Sequence, residues 1–155
     1  AQGLSGEICI RGPNVTPGYY QQPTENATAF TADGYLRTGD VGVMDEQGYT
    51  RIIDRKKDMI LVSGFNVFPN EVENTISLCP GVLECAAIGV PDEKQGEAIK
   101  VFIVRSNPAL TEKEVKSFCH DNMTGYKCPK HIEFRDDLPK TNVGKVLRRQ
   151  LRTTA

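Results

Sequence analysis

Strand-like and helix-like segments alternate along the second two thirds of the chain, and this alternation constrains the fold more than any other feature of the sequence. The apolar runs MILV at residues 59–62, VLECAAIGV at residues 82–90 and AIKVFIV at residues 98–104 are typical of strands. Segments with helical features lie between and after them. Strands and helices that alternate over about 100 residues predict one compact α+β domain, whose short mixed or antiparallel sheet is flanked by helices.

Two of these helices have recognisable ends. The segment at residues 69–81 begins with a proline, stops at a Pro-Gly pair and places Val72, Ile76 and Cys79 on one face. The next helix begins at Thr111, because Glu114 follows three residues later and the two side chains can form a capping box. Both patterns predict amphipathic helices that pack on the sheet.

Residues 1–54 have a different character, with short strands separated by turns such as DEQG at residues 45–48. The charged stretch DRKKD then precedes the alternating region, and a boundary is expected there. Because the chain opens on a strand-like segment and lacks an initial methionine, we interpret residues 1–54 as the β-rich remnant of a larger domain. Residues 55–155 are predicted to form a small second domain.

Composition and charge exclude several classes of protein. The 19 Lys and Arg residues against 20 Asp and Glu residues give a formal net charge of -1, which argues against a dedicated nucleic-acid-binding protein. No apolar run approaches the roughly 20 residues of a membrane span, and the first residues carry no signal-peptide pattern. The five cysteines form neither a CxxC motif nor a Cys/His cluster, so no metal site is predicted. These features predict a soluble, intracellular protein.

The segment LPKTNVGKVLRRQLR at residues 138–152 admits three interpretations. A phosphate-binding loop of the GxxxxGK[ST] type fails, because Pro139 replaces its first glycine and Val146 its hydroxyl residue. A nucleic-acid patch is the second, although no aromatic residues are interleaved for base stacking. It would comprise Lys140, Lys145, Arg148, Arg149 and Arg152. The third is a single catalytic lysine carried on a loop ahead of a helix.

Four segments, taken in order, resemble the C-terminal end of adenylate-forming enzymes. They are GEICIRGPNVTPGYY, DGYLRTGD, IIDRKKDMILVSGFNVFPNEVE and LPKTNVGKVLRR. Within that superfamily the sequence is similar to acyl-CoA synthetases. LVSGFNVFPNEVE and MTGYKCPKHIEF look most like the bacterial long-chain fatty-acid CoA ligases. The resemblance implies that the second domain is the small mobile C-terminal domain of such an enzyme, preceded by the end of its large adenylation domain.

The resemblance also assigns roles to residues near the boundary. Asp40 in TGD matches the aspartate that holds the ribose hydroxyls of ATP, and an ionised carboxylate suits two hydroxyl donors. Arg55 matches an arginine that contacts the same region. Lys57 matches the hinge about which the small domain rotates, and an exposed lysine remains solvated in both orientations. Without the resemblance, these residues would be interpreted as a turn aspartate and a charged linker.

Two further sites are implied in the second domain. Ser63, Gly64 and Phe65 match the loop that approaches the pantetheine arm of CoA, where a glycine lets a ligand pass close to the backbone. A simple turn at the end of a strand is the alternative. Lys145 matches the lysine that reaches the substrate carboxylate and the α-phosphate, where a cation stabilises the accumulating charge. A solvated surface lysine is the alternative there.

The reaction that the resemblance implies has two steps. A fatty acid and MgATP form an acyl-adenylate and pyrophosphate, and CoA then takes the acyl group. Fatty acid, ATP and CoA are the expected partners, with Mg²⁺ accompanying ATP, and no cofactor is expected to bind tightly to this chain alone. The family's phosphate loop and acyl pocket are absent from this sequence, so the chain by itself is expected to be inactive.

Several alternatives remain open at this point. Peptide-synthetase adenylation domains and other acid-CoA ligases share the same C-terminal motifs. A non-enzymatic module that binds polyanions through its basic tail is the alternative from another class. The resemblance implies a cytoplasmic enzyme, and peripheral association with the inner face of the membrane is left open. The sequence predicts neither the acyl chain length nor the oligomeric state.

Overall fold

The computed structural model describes residues 3–153, which form two compact units that divide after Lys57. The expected domain boundary, after Asp54, falls three residues earlier and inside the strand Thr50–Arg55. A 3-10 helix at Lys56–Asp58 contains the point of division. Each unit is therefore described by itself.

The first unit contains a three-stranded antiparallel sheet and one short helix. Its elements are β1 (Ser5–Ile10), α1 (Pro23–Ala29), β2 (Leu36–Met44) and β3 (Thr50–Arg55). Strand β2 lies in the centre and pairs with β1 on one side and with β3 on the other. The turn predicted at residues 45–48 is confirmed, because the Asp45 carboxylate accepts hydrogen bonds from the backbone N–H groups of Gln47 and Tyr49 at 3.0 and 2.9 Å.

The second unit is an α+β domain built on a five-stranded sheet. Its elements are β4 (Ile60–Val62), β5 (Phe65–Val67), α2 (Pro69–Ile76), β6 (Val82–Asp92), β7 (Gly96–Arg105), α3 (Glu112–Asn122), β8 (His131–Arg135) and α4 (Arg148–Thr153). Strand β7 pairs antiparallel with β4 and β6 and parallel with β8. The predicted mixed sheet flanked by helices is therefore confirmed.

The alternation of side chains along β7 explains why helices pack on both faces of this sheet. Val101 and Ile103 belong to the core cluster that contains the buried side chains of α2 and α3. Phe102 and Val104 point the opposite way and belong to a second cluster with Leu151 of α4. The four consecutive apolar residues at 101–104 must be covered on both faces of the sheet, because successive side chains point to opposite sides.

The helix starts follow the sequence signals, but α2 ends at Ile76, earlier than the expected stop at Pro80-Gly81, so Cys79 is buried beyond the helix and not on its face. Val72 and Ile76 of α2 are both fully buried, as their spacing predicts. The Thr111 hydroxyl accepts a hydrogen bond from the backbone N–H of Glu114 at 3.3 Å, and the Glu114 carboxylate accepts one from the backbone N–H of Thr111 at 2.8 Å. The predicted capping box is therefore confirmed. No helix within residues 3–153 is long and apolar enough to cross a bilayer.

Candidate functional site

Asp40 and Arg55, the two residues expected to bind nucleotide, meet on the sheet of the first unit. They are direct partners in the ladder between β2 and β3, and Arg55 Nε donates a hydrogen bond to Asp40 Oδ1 at 2.9 Å. Gly39 immediately before Asp40 has a φ of +72°, a conformation that favours glycine, within the strand. The Asp40 side chain stays 30% exposed, so its carboxylate can accept hydrogen bonds from a ligand.

A polar groove of about 500 Å³ lies in the same unit. Its lining includes Arg37, Thr38 and Gly39, which directly precede Asp40 in the chain. The Glu7 carboxylate also lines the groove, where Arg37 Nη1 and Lys56 Nζ lie 3.2 and 2.8 Å from its Oε2. The hydrogen bond from Lys56 is the main reason why the pKa of Glu7 is lowered. Sequence reasoning missed Glu7, because nothing in β1 signals a partner about fifty residues away.

Lys57, the expected hinge, is the last residue of the first unit. Its side chain is exposed and forms no ion pair with any residue that the structure describes. It lies in the middle of the 3-10 helix Lys56–Asp58. Because this 3-10 helix has only three residues, few backbone hydrogen bonds would break if the backbone rotated at Lys57.

Ser63 and Gly64 form the two-residue turn between β4 and β5. Val62 and Phe65 are paired on either side of them, and the φ angles of Ser63 and Gly64 are +50° and +84°. Positive φ at both central positions is the signature of a type I′ hairpin turn. A Cβ atom built on Gly64 would meet nothing within 4 Å, so the turn presents open space on that side.

Phe65, the third residue of this segment, is exposed but has an aromatic neighbour. Its ring stacks on Tyr126 with the centroids 4.6 Å apart and an interplanar angle of 19°. Tyr126 lies in the 3-10 helix Gly125–Lys127, so the stack connects the hairpin to the segment between α3 and β8. The segment MTGYKCPKHIEF carries a family resemblance, but nothing in its sequence indicates that Tyr126 contacts Phe65.

Lys145 lies at the end of a tight hairpin loop in the second unit. Lys140 and Val146 form an antiparallel bridge, and within it the backbone N–H of Thr141 donates to the carbonyl of Lys145 at 2.8 Å. The N–H of Gly144 donates to the carbonyl of Thr141 at 2.9 Å, and Gly144 has a φ of +80°. A turn followed by glycine in the left-handed region is a common three-residue hairpin loop. Gly144 therefore fixes the loop that carries Lys145.

The basic tail around Lys145 is largely neutralised by carboxylates of its own unit. Arg148 Nη2 lies 2.7 Å from Glu73 Oε2, and Arg152 Nη2 lies 2.8 Å from Asp58 Oδ1. Lys140 Nζ lies 2.7 Å from Glu84 Oε1, and this hydrogen bond raises the pKa of Lys140. Among the five cations of the tail, within residues 3–153, only Lys145 and Arg149 form no ion pair.

The arrangement limits what each residue can do chemically. The exposed, unpaired ammonium of Lys145 is available to an external anion, because no carboxylate in the described part of the chain holds it. In the part of the chain that the structure describes, Lys145 forms no hydrogen bond or ion pair with the Ser63–Phe65 segment. The same residues contain no group of three or more His, Cys, Asp or Glu side chains that could hold a metal ion.

Comparisons with known proteins agree with this arrangement of motifs. Residues 71–145 match the family model described as the AMP-binding enzyme C-terminal domain. The chain is 56% identical over 153 residues to a long-chain-fatty-acid CoA ligase of Escherichia coli O157:H7, covering 99% of this chain and 27% of that protein. The chain thus spans about a quarter of the length of the curated relatives it matches.

Two solved structures extend the comparison to the fold. ATP-bound MatB from Rhodopseudomonas palustris is 39% identical with a TM-score of 0.93, and the match covers 99% of this chain and 31% of that one. The o-succinylbenzoate CoA synthetase MenE from Bacillus subtilis, in complex with its acyl-adenylate intermediate, is 33% identical with a TM-score of 0.86. That match covers 98% of this chain and 31% of the other.

Proposed function

Because the chain belongs to the adenylate-forming AMP-binding enzymes and carries their C-terminal domain, we propose that the protein containing it is a long-chain fatty-acid CoA ligase. The observation that carries this proposal is the 56% identity to such a ligase along nearly the whole chain. The enzyme activates a fatty acid with ATP to an acyl-adenylate and then transfers the acyl group to CoA. We place it in the cytoplasm, with peripheral contact to the inner membrane face as a property to be tested.

Asp40 and Arg55 serve the nucleotide in this proposal. A carboxylate that accepts from one ribose hydroxyl through Oδ2 can keep its hydrogen bond from Arg55 through Oδ1. The arginine thus orients the carboxylate before ATP arrives. Mg²⁺ accompanies the ATP phosphates, and because no metal-binding cluster exists among residues 3–153, no residue of this chain is assigned to the ion.

Lys145 serves the first step. As the carboxylate oxygen of the fatty acid attacks the α-phosphorus, negative charge accumulates on the phosphoryl oxygens and pyrophosphate leaves. A compact ammonium aimed at that charge stabilises the transition state more than the ground state. Lys145 forms no ion pair with any of residues 3–153, and this supports the role, because a lysine already neutralised by a carboxylate would have to break that pair first.

The hairpin at Ser63, Gly64 and Phe65 serves the second step. Rotation about Lys57 brings this turn to the acyl-adenylate, and the open side of Gly64 lets the pantetheine arm of CoA pass along the backbone. The CoA thiolate then attacks the acyl carbon and AMP leaves. The two steps thus use different segments of the second unit.

Fatty-acid-dependent exchange of pyrophosphate into ATP tests the proposal in the full-length protein. Palmitate should support exchange far better than acetate, malonate, o-succinylbenzoate or free amino acids, and CoA should then yield palmitoyl-CoA. Exchange with only one of the other acids would assign the protein to another adenylate-forming enzyme. The absence of exchange with every acid, together with salt-sensitive binding to polyanions, would favour the non-enzymatic alternative.

A further inference from the structure

Lys57 lies between two residues that are each held by an ion pair within their own unit. On its N-terminal side, Lys56 Nζ lies 2.8 Å from Glu7 Oε2. On its C-terminal side, Asp58 Oδ1 lies 2.8 Å from Arg152 Nη2. The division of the chain into two units falls between Lys57 and Asp58.

The first anchor is connected to the sheet of the first unit. Glu7 lies in β1, its side chain is only 14% exposed, and it is paired with Val41 of β2 in the ladder. Arg37 of β2 also contacts the same carboxylate oxygen at 3.2 Å. Because both β1 and β2 contribute to this cluster, Lys56 is tied to a hydrogen-bonded framework and not to a mobile loop.

The second anchor is connected to the core of the second unit. Asp58 is one of two buried charged residues, at 7% exposure, among those the structure describes. Arg148 Nη1 lies 4.0 Å from its other carboxylate oxygen, and Arg148 is itself hydrogen-bonded to Glu73 of α2. Glu73 in turn accepts a hydrogen bond from the backbone N–H of Ala87 in β6 at 2.7 Å. A buried carboxylate held in this way is costly to move.

Lys57 itself is exposed and has no such anchor among residues 3–153. We propose that Glu7 and Arg152 are positioning residues that hold Lys56 and Asp58 on their own units, so that the rotation between the two half-reactions is confined to Lys57. This inference rests on the proposed function. A single residue offers only two soft dihedral angles, whereas three unanchored residues would offer six. Rotation that is confined to Lys57 therefore gives the second unit two defined orientations, whereas rotation spread over three residues would give it a broad range of orientations.

A suppression experiment in the full-length enzyme tests this inference. Lys57→Pro fixes φ near the value of a 3-10 helix and should therefore slow one half-reaction far more than the other. Adding Glu7→Gln or Arg152→Gln frees a neighbouring residue to take up the rotation. In each double variant the rate of the slowed half-reaction should be roughly tenfold or more above that of Lys57→Pro alone. The effects of substitutions within one coupled element are not additive.

Matched controls separate this effect from general destabilisation. Glu46→Gln and Arg149→Gln make the same substitutions at exposed residues that form no ion pair in the described part of the chain, and neither should relieve Lys57→Pro. If the ion pairs served only to stabilise the fold, removing one would lower the rate of the slowed half-reaction further in the double variants instead of raising it. Lys56→Gln, which leaves the Glu7–Arg37 pair intact, replaces Glu7→Gln if that variant does not fold.

Hydrogen exchange supplies a readout that does not depend on activity. The amides of residues 56–58 should exchange faster in Glu7→Gln and Arg152→Gln than in the two controls, because the anchored ends of the 3-10 helix are released. If Lys57→Pro impairs one half-reaction and neither anchor variant relieves it, the inference is wrong while the proposed function stands. If the unmodified enzyme shows no fatty-acid-dependent pyrophosphate exchange, the proposed function fails, and the inference fails with it.

Discussion

Asp40 and Arg55 lie directly opposite each other in the β2–β3 ladder, and the arginine donates through Nε to the carboxylate at 2.9 Å. A pair at this position is held by the backbone hydrogen bonds of the sheet and not by the two side chains alone. The ribose-binding carboxylate that we propose is therefore oriented before the nucleotide arrives. Preorganisation of this kind lowers the entropic cost of binding.

We expect Asp40→Ala to weaken ATP binding in the full-length enzyme by about tenfold or more, because a charged hydrogen-bond acceptor for the ribose is lost. Arg55→Ala should weaken ATP binding less. The double variant should bind ATP as weakly as Asp40→Ala, since both changes disrupt the same ion pair. Steady-state kinetics with varied ATP would measure the effect as a rise in KM. Glu46→Ala, in the exposed turn between β2 and β3, is the control and should leave KM unchanged. Additive effects of the two single changes would contradict the coupling.

The sequence predicted those elements of the fold whose signals are local. The capping box at Thr111 and Glu114 needs only four consecutive residues, and it forms as expected. The helix at Pro23–Ala29 went unpredicted, because it buries no residue, has no side-chain cap and shows no apolar face. Without the resemblance Asp40 would be interpreted as a turn residue, but β2 continues through Gly39 and Asp40 as one strand. The glycine that suggests a turn there is accommodated inside the strand with a positive φ.

The site was less predictable, because its contacts join residues far apart in the chain. Arg148 and Arg152 read as members of a basic tail, yet their partners Glu73 and Asp58 lie 75 and 94 residues away. No local pattern reveals such pairs, so neutralisation of most of the tail could not be inferred from composition. The sequence also does not show that Gly144, with a φ of +80°, has a defined place in the hairpin.

That defined place makes Gly144 a test of the Lys145 loop. We expect Gly144→Ala to destabilise the left-handed conformation by about 1–2 kcal/mol, because a Cβ atom is unfavourable at this φ. The loop should then rearrange and misplace Lys145, so the adenylation rate should fall while the cooperative unfolding of the domain changes little. Gly125→Ala is the matched control, because Gly125 has an ordinary φ and equally open surroundings. Equal adenylation rates in the two variants would contradict the role assigned to Gly144.

The thiols of Cys85 and Cys119 offer a test of the packing of the second unit. Burial raises the pKa of each thiol to about 12, with nearby Glu73 contributing at Cys85. The reactive thiolate should then be present in only about one molecule in 10⁴ at pH 8. We expect neither cysteine to react with iodoacetamide in the folded protein, and both to react after denaturation. Mass spectrometry of the alkylated peptides would measure this, and rapid native labelling of either residue would contradict it.

The same two thiols predict the direction of a pH effect on stability. Because their folded-state pKa is raised above the unfolded value of about 8.5, the stabilisation is complete below that pH and is lost as pH rises towards 12. The free energy of unfolding should therefore fall between about pH 9 and 11. A variant with Cys85→Ala and Cys119→Ala should show a shallower decline over the same range, even if its stability at neutral pH is lower.

Lys145→Ala in the full-length enzyme should slow adenylation by about 10²- to 10³-fold, because it removes a cation directed at charge that develops only in the transition state. ATP binding should change much less, since we propose that Asp40 and Arg55 hold the ribose without Lys145. CoA attack on a supplied acyl-adenylate should also persist, because in our proposal this second step uses the Ser63–Phe65 hairpin. Single-turnover measurement of the two half-reactions separates these expectations.

Two neighbouring cations make this last prediction specific. Arg149 is four residues away, exposed and likewise without an ion pair among residues 3–153, so Arg149→Ala should leave both half-reactions nearly unchanged. Lys140 is held by Glu84 at 2.7 Å and by Asp137 at 3.6 Å, so Lys140→Ala should affect stability more than rate. Because a generic basic surface would treat all three cations alike, equal losses in the three variants would show that Lys145 has no special role. Slowing of thioester formation as severe as that of adenylation would likewise exclude a role confined to the first step.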